Sequence, residues 1–401
     1  MNKKIKVGYL TSSNPLDKRS WSGTHFKMYE SLKNKFEEVY ILGPLKKSIF
    51  LKVTLLVFSL THFLVFFKKY KKNHSKLLSK YYAYKINRKF KNKKIDVIFA
   101  PAGSAEIAYL KTSIPICYLS DTSFGQITNY YSSFSNISRF SFKEANLIEQ
   151  LAINNSFTQV YSSNWAADYV INNYNAVKEH VFTVNFGANI DFVPERILLE
   201  KDFNSTINLL FLGVNWKRKG GNIVLETFDI LINKGYDVTL TICGCTPPNL
   251  IDNPNIKIIP FLDKNDSKAH DEFLNILYNT HLLFVPTRAD CTPIVFCEAN
   301  AFGIPVITTN TGGVEAIIKN DVNGYVLPLE ATPNDYATKI QSLLDYRLIL
   351  NSMAISSRKK FEKELNWHVW GEKMREILLL TAQRNIELNS TEEKYISEIG
   401  N

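Results

Sequence analysis

A chain of 401 residues, 45% hydrophobic, 21% charged and 13% aromatic, is too long for one ordinary core and too rich in aromatic side chains for a disordered protein. We expect two domains of roughly 150 to 200 residues each. The five cysteines are odd in number and lack Cys-x-x-Cys or His spacing, which argues against a disulfide framework or a zinc site, so we interpret them as reduced thiols.

The net charge of +10 is concentrated in one part of the chain. Residues 39–95 contain fifteen Lys or Arg and no Asp or Glu, so the remainder is net negative. Such a cluster suits nucleic acid or an anionic membrane surface, but no nucleic-acid recognition motif accompanies it, so the membrane is the expected partner. The start, MNKKIKVGYL, leads directly into a strand, so we expect no signal peptide and a cytoplasmic protein.

The first half of the chain has the pattern of an α/β domain. A polar loop, Gly23 and a helix to residue 32 follow the first strand, as in a Rossmann-type domain, although Gly23 is not a GxGxxG fingerprint and can equally be an N-cap turn glycine. Asp121 follows the fourth strand and can be a helix or turn cap. Strands are predicted at residues 4–12, 38–43, 96–101, 114–119, 158–162 and 181–187.

Residues 49–67 form an apolar run that only Lys52, Ser59, Thr61 and His62 interrupt. Its length nearly suits a membrane span. A single crossing, however, would put the strands at 38–43 and 96–101 on opposite sides of the bilayer. We therefore favour an amphipathic or surface-inserted helix with a basic partner at 68–94, and a plain buried helix is the alternative.

The second half repeats the α/β pattern after a connection that starts at residue 188. The loop VNWKRKGG places Lys217, Arg218 and Lys219 at the carboxyl end of a strand, beside the N-terminus of a helix at 222–233, which is a place for a diphosphate. A solvated basic turn is the alternative. A final helix with Trp367 and Trp370 precedes a polar tail that we expect to fray after residue 383. Strands are predicted at residues 207–213, 238–244, 256–261, 282–285 and 306–309.

Residues 282–315, LLFVPTRADCTPIVFCEANAFGIPVITTNTGGVE, form a strand, a loop, a helix and a second strand. Thr292 and Pro293 are suited to the N-cap and the first position of the helix, and a second helix is predicted after Gly312 and Gly313. In a parallel sheet, ligands bind at the carboxyl ends of strands. We therefore expect the carboxylates of the loop and of the helix, eight residues apart, to face one ligand.

Asp290 to Glu298, followed by EANAFGIPVITTNTGG, resembles the Glu, seven residues, Glu signature of the family 4 retaining glycosyltransferases. The first acid here is Asp290, one methylene shorter than the usual Glu. The resemblance implies the GT-B fold, with two Rossmann-like domains facing each other across a cleft and a C-terminal helix that returns to the first domain. It divides the chain into an acceptor-binding domain at 1–187, a nucleotide-sugar-binding domain at 188–366, and a C-terminal helix and polar tail at 367–401.

The resemblance also implies roles for individual residues. Glu298 is expected to bind the ribose hydroxyls, and Arg218 and Lys219 the leaving diphosphate. Asp121 occupies a region in which the family often has a His facing the donor sugar. Asp290 and the backbone between Cys291 and Val295 are expected to hold the sugar and the phosphate. The remaining donor-binding candidates are Cys291, Thr292, Pro293, Ile294, Val295, Gly23, Gly312, Gly313 and, near the base, Phe261.

The resemblance therefore implies a retaining glycosyltransferase that moves a sugar from a UDP- or GDP-sugar to a hydroxyl of a lipid-linked or saccharide acceptor, in bacterial surface polysaccharide or lipopolysaccharide synthesis. No Asp-x-Asp metal motif is apparent, so we expect a metal-independent enzyme without a cofactor, peripheral on the inner face of the cell membrane. The alternative is an inactive GT-B protein that binds the membrane. A glycosidase would have no use for the diphosphate site.

Overall fold

The computed structural model describes residues 5–90, 94–195, 201–203, 205–263 and 265–399, and the chain divides into two compact units. The first unit comprises Met1–Val184 and Gly371–Asn401, and the second comprises Asn185–Trp370. The sequence-based divisions fall after residues 187 and 366. Lys4, the first residue of the first predicted strand, and Lys91 and Lys93 of the basic segment lie outside the described residues.

The first unit contains a parallel six-stranded sheet in the order β2-β1-β3-β4-β5-β6. The strands are β1 (Lys6–Tyr9), β2 (Glu38–Ile41), β3 (Val97–Pro101), β4 (Ile116–Ser120), β5 (Thr158–Tyr161) and β6 (Val181–Thr183). The helices are α1 (Thr24–Lys33), α2 (Ile49–Phe66), α3 (Lys76–Phe90), α4 (Ser104–Ile107), α5 (Phe124–Ile127), α6 (Arg139–Asn155) and α7 (Asn164–Tyr174). Every residue of β3, β4 and β5 is buried, as expected where helices cover both faces of a parallel sheet.

The second unit contains another parallel six-stranded sheet, in the order β12-β11-β10-β7-β8-β9. The strands are β7 (Ile207–Leu212), β8 (Val238–Cys243), β9 (Ile256–Ile259), β10 (Leu282–Val285), β11 (Val306–Thr309) and β12 (Gly324–Leu327). The helices are α8 (Gly221–Asn233), α9 (Ser267–Asn279), α10 (Ile294–Ala301), α11 (Pro333–Asp345) and α12 (Arg347–Lys363), and the last helix of the chain, α13 (Trp367–Ile399), begins at the end of this unit. The prediction of two Rossmann-like α/β domains is confirmed.

The last helix, α13, begins in the second unit and continues in the first. Trp367 donates its indole N–H to Asn189 (3.1 Å), and its ring lies 5.2 Å from that of the fully buried Trp370. Further along, the Thr381 and Thr158 hydroxyls are 2.7 Å apart within the first unit. The backbone is helical to Ile399 where the sequence suggests a frayed tail, since no Gly or Pro lies between Gly371 and Gly400.

The predicted helix after Gly312 and Gly313 is wrong. In its place is a single 3-10 turn, Val314–Ala316. Asn323 prevents its extension, because its side chain accepts the Lys319 backbone N–H (2.8 Å) and donates to the Ile317 carbonyl (3.0 Å). These backbone groups are then unavailable for a continuous helical ladder.

The apolar run forms the helix α2, which ends one residue earlier than expected because Phe67 adopts a left-handed conformation (φ 52°). Within the described part of the chain, α2 is the one helix long and apolar enough to cross a membrane by length and composition. Only 17% of this helix is buried. The alternative of a plain buried helix is therefore wrong.

A buried carboxyl group lies between α6 and β4. Glu149, on α6, accepts a hydrogen bond from the Tyr118 hydroxyl (2.9 Å), and both residues are at most 2% exposed. Burial raises the pKa of Glu149 from its ordinary value of 4.5 to about 7, while the Tyr118 hydrogen bond opposes this shift. The folded protein consequently holds this proton at pH values where the unfolded chain has lost it.

We predict that Glu149→Gln stabilises the protein progressively, relative to wild type, as the pH rises from 4.5 to 7. Because the pKa of Glu149 is higher in the folded protein, protonated Glu149 contributes its full share to the free energy of unfolding below pH 4.5. This contribution is lost as the pH rises through 7, a change of about 3 kcal/mol for a shift of this size. Glutamine can still accept from Tyr118 and does not titrate. Melting temperatures measured for both proteins at several pH values test this, and a constant difference contradicts it.

Candidate active site

A buried ion pair joins the loops at the carboxyl ends of the adjacent strands β7 and β10. Lys219 Nζ lies 2.5 Å from Asp290 Oδ2, and the two side chains are only 7% and 8% exposed. Arg218 Nη1 lies 3.6 Å from the same carboxylate oxygen and donates to the Ala289 carbonyl (2.7 Å). Two cations thus share one carboxylate, so the cluster carries a net positive charge at the sheet edge where parallel sheets bind ligands.

Two glycines allow this close approach. The aliphatic stem of Lys219 crosses Gly213, where an added Cβ would lie 2.8 Å from Lys219 Cγ. Gly220 has a φ of +80°, and a Cβ there would overlap the Pro286 carbonyl oxygen that follows β10. The Arg288 N–H also donates to the Arg218 carbonyl (2.7 Å). The two loops are therefore held together by backbone contacts as well as by charge.

Helix α10 begins directly behind this cluster. Pro293 occupies its N-cap position (φ −75°, ψ 89°) and Ile294 its first turn, so the predicted N-cap at Thr292 with Pro293 as the first helical residue is wrong. The first N–H groups of a helix have no acceptor within it, and they favour an anion. Glu298, on the second turn, is 1% exposed. The loop from Cys291 leads into this helix, so the predicted backbone donors adjoin the cluster.

The glycine pair after β11 supports the Asp290 loop. Gly312 is left-handed (φ 59°), and the Gly313 N–H donates to the Asp290 carbonyl (3.1 Å). Because only a 3-10 turn follows, the helix N-terminus predicted after this pair does not exist. The structure thus brings the glycines to the cluster, where Gly313 holds the backbone of Asp290.

Phe261 lies apart from this group. The predicted strand at 256–261 ends at Ile259, and Phe261 lies in the following loop with 66% of its surface exposed. β9 is an edge strand, separated from β10 by β7 and β8. A contact of Phe261 with the base stays a prediction from the resemblance.

Gly23 and Asp121 belong to the first unit. Gly23 is the N-cap residue of α1, and three consecutive residues here are left-handed: Trp21 (φ 49°), Ser22 (φ 55°) and Gly23 (φ 92°). Asp121 directly follows β4 and is not the N-cap of α5, which is Ser123. Two non-glycine residues in this conformation store strain, as is common at functional sites. The roles of Gly23 and Asp121 toward the donor stay predictions.

His25 was missed by sequence reasoning. It lies on the first turn of α1, is 4% exposed, and its Nδ1 is 3.0 Å from the Tyr9 hydroxyl. Burial lowers its pKa to about 4, so the ring is neutral at physiological pH. Its ring centroid lies 5.3 Å from that of the strained Trp21. A lone His in a helix carries no sequence signal that would have singled it out.

A cavity of about 340 Å³ lies at the carboxyl ends of β1 and β3 in the first unit. Glu106 is buried there and accepts the Ser12 N–H (3.0 Å), and burial raises its pKa. Burial also lowers the pKa of His74 to about 4. Lys47, which donates to Asn73 (2.8 Å), completes the polar lining. The cavity presents both donors and acceptors, which suits a hydroxyl-rich ligand.

Residues 200–363 match the family model described as glycosyl transferases group 1. This segment contains the ion-paired cluster, α10 and the glycine pair. This segment is therefore similar to a glycosyl transferases group 1 domain. Among the described residues, no group of three or more His, Cys, Asp or Glu side chains is placed to hold a metal ion.

Known proteins extend this comparison. The chain is 25% identical, over 219 residues, to the capsular polysaccharide biosynthesis glycosyltransferase CapM of Staphylococcus aureus, covering 49% of this chain and 55% of CapM. It thus spans about half the length of this curated relative. Sucrose-phosphate synthase from Thermosynechococcus elongatus is 13% identical with a TM-score of 0.64, covering 97% of this chain and 100% of that chain. Anabaena Alr3699/HepE, solved in complex with UDP and glucose, is 13% identical with a TM-score of 0.60, covering 93% of this chain and 99% of that chain. Both show the GT-B fold for this chain.

We predict that Gly220→Ala destabilises the second unit far more than Gly235→Ala. The two glycines have nearly equal φ values (+80° and +82°), so the left-handed conformation costs an alanine about 1 to 2 kcal/mol at either site. Only at Gly220 does the new Cβ also overlap Pro286; at Gly235 no atom lies within 4 Å. Melting temperatures of the two variants compare the sites, and equal losses contradict the predicted contact between the loops.

Proposed function

We propose that this protein is a retaining, metal-independent glycosyltransferase that moves a sugar from a nucleotide-diphosphate sugar to an acceptor hydroxyl. The observation that carries the proposal is the cluster in which Arg218 and Lys219 meet Asp290. It lies at the carboxyl ends of β7 and β10 within the segment that matches the glycosyltransferase family. A net positive, largely buried site at this edge suits a diphosphate.

The chemistry calls for cations at this place. As the bond between the anomeric carbon and the phosphate oxygen breaks, its electron pair goes to the diphosphate and positive charge develops on the sugar ring. Arg218 and Lys219, together with the first N–H groups of α10, stabilise the leaving diphosphate, the task that a metal performs in other enzymes. The acceptor oxygen bonds to the anomeric carbon on the face the diphosphate leaves, and its proton passes to a phosphate oxygen.

The ion pair assigns Asp290 a second task. Its carboxylate holds the Lys219 ammonium at 2.5 Å, so the cation is already oriented before the donor arrives. A preorganised charge needs no reorganisation when the transition state forms. Asp290 has a second carboxylate oxygen that can contact the sugar, as the resemblance implies. Glu298 binds the ribose hydroxyls from α10.

The acceptor is assigned to the first unit. The polar cavity lined by Ser12, Lys47, His74 and Glu106 can bind hydroxyl groups of a lipid-linked or saccharide acceptor. The relation to a capsular polysaccharide glycosyltransferase supports a role in bacterial surface polysaccharide synthesis. A UDP-sugar is the first donor to test, since the structurally similar Alr3699/HepE was solved with UDP and glucose, and GDP-sugars are the second.

We predict that Lys219→Met lowers turnover of the donor by about a hundredfold or more, the loss typical when one preorganised group that stabilises developing charge is removed. Lys217→Met is the matched control, because Lys217 is exposed in the same loop. It should retain near wild-type turnover. The measurement is release of the nucleoside diphosphate from UDP- and GDP-sugars. Melting temperatures taken in parallel separate loss of charge from loss of fold, and wild-type turnover by Lys219→Met contradicts the assignment.

The metal-free mechanism predicts that EDTA leaves turnover unchanged. Strong inhibition by EDTA that added magnesium or manganese reverses would contradict it.

An inactive binding protein is the remaining alternative: it would show no turnover with any donor, and Glu298→Ala would leave its function intact.

A further inference from the structure

Helix α2 has two opposite faces that are both apolar. One stripe, Leu51, Leu55, Phe58 and His62, has the i, i+4, i+7, i+11 spacing of a single helix face. Leu51, Leu55 and His62 are at most 8% exposed, and His62 lies 4.8 Å, ring to ring, from Tyr70. This stripe rests on the first unit.

The opposite stripe has the same spacing, displaced by two residues. It consists of Val53, Val57, Leu60 and Leu64, which are between 49% and 68% exposed. Ile49, Leu56 and Phe63 widen it. The polar residues lie between the two stripes, and the Thr54 and Thr61 hydroxyls donate to carbonyls of their own helix (3.0 and 2.9 Å). The outward face therefore presents almost nothing but hydrocarbon over five helical turns.

The chain after α2 runs back along the helix and carries positive charge. Asn136 donates to the Phe67 carbonyl (3.0 Å) at the C-terminal end, Tyr70 contacts the middle, and Asn73 accepts from Lys47 (2.8 Å) before the N-terminus. Lys69 and Lys71 donate to the carbonyls of Ser132 and Ser133, which fixes this segment. The exposed lysines here include Lys68, Lys69, Lys72 and Lys76.

Both ends of α2 are anchored to the same unit. Ser48, its N-cap, donates its N–H to the Tyr81 hydroxyl on α3 (3.1 Å), and Lys69 pairs with Ile137 just after the C-terminus. Eighteen residues span about 27 Å, slightly less than the hydrocarbon core of a bilayer. A crossing would therefore separate these anchors and strip the buried stripe from the domain.

We propose that α2 docks the protein on an anionic bilayer, such as the cytoplasmic leaflet, lying flat in the interface. The outward stripe enters the acyl boundary, and the exposed lysines meet anionic headgroups at the same depth. A second copy of the chain fits this face less well, because joining two copies would bring both lysine-rich borders together. Charge complementarity thus selects the lipid surface.

The test is cosedimentation with phosphatidylglycerol-containing vesicles and with phosphatidylcholine vesicles, at low and high salt. Wild type should bind the anionic vesicles at low salt and lose most binding at high salt. Changing Lys68, Lys72 and Lys76 to Ser should lower partitioning on anionic vesicles by about a hundredfold, at about fivefold for each lysine. The control changes three exposed lysines of the second unit, Lys257, Lys268 and Lys359, to Ser and should bind as wild type.

A second variant tests the apolar face. Changing Val53, Val57, Leu60 and Leu64 to Gln should abolish binding to both kinds of vesicle without lowering the melting temperature, since these side chains are exposed. Leu250, Leu348, Ile349 and Ile355, exposed residues of the second unit, changed to Gln form the control. Wild type that binds no vesicles, or binds equally at every salt and on both lipids, overturns the proposal. A dimer that the apolar variant converts to monomer, without vesicle binding, identifies a second copy as the occupant.

Depth measurements distinguish a flat helix from a spanning one. Single substitutions Ile49→Trp, Val57→Trp and Leu64→Trp, corrected for the five native tryptophans, are compared by quenching with lipids brominated near the headgroup or near the chain end. A flat helix places all three at one shallow depth. Deeper quenching of Val57→Trp than of the other two overturns the in-plane orientation.

Discussion

The candidate active site depends on one buried ion pair, between Lys219 and Asp290. Burying two charges is costly, and it is tolerated only where they pair closely and hydrogen-bond well. The 2.5 Å contact meets this condition, and Arg218 on one side and the Gly313 N–H on the other fix the Asp290 loop. Lys219 follows β7 and Asp290 follows the neighbouring strand β10, so the ion pair also fixes the position of one loop against the other. The Asp290 loop leads into α10, which carries Glu298 behind the cluster.

Much of this architecture could be predicted from local patterns. The apolar runs at β10 and β11 match the predicted strands at both ends, since Pro286 and Pro305 adjoin them. The signature around Asp290 and Glu298 and the basic loop at Arg218 and Lys219 identified the two loops that the structure brings together. Their contact could not be derived locally, because it depends on strand order, in which β10 lies next to β7 although some seventy residues separate them.

The conformations that the sequence did not predict also depend on contacts outside the local pattern. A Gly-Gly pair followed by Val-Glu-Ala predicts a helix by its local pattern, but Asn323, a residue of the following turn, captures the backbone groups that the helix needed. The left-handed Trp21 and Ser22 likewise have no local signature, since neither residue favours that conformation. Tertiary contacts impose these conformations, and both lie in loops at the carboxyl edges of the sheets.

The cavity of the first unit and the helix α2 are linked through their residues. Lys47, in the cavity wall, immediately precedes the N-cap of α2, and His74 lies in the stretch after α2 that runs back along the helix. If α2 lies in the headgroup region, this cavity therefore lies close to the lipid surface, because one of its lining residues directly precedes the helix. A lipid-linked sugar presents its hydroxyls at that depth, whereas a free saccharide needs no such placement. If α2 docks on the membrane as proposed, its exposed apolar stripe, which gains nothing in water, favours a lipid-linked acceptor over a saccharide in solution for the proposed transfer.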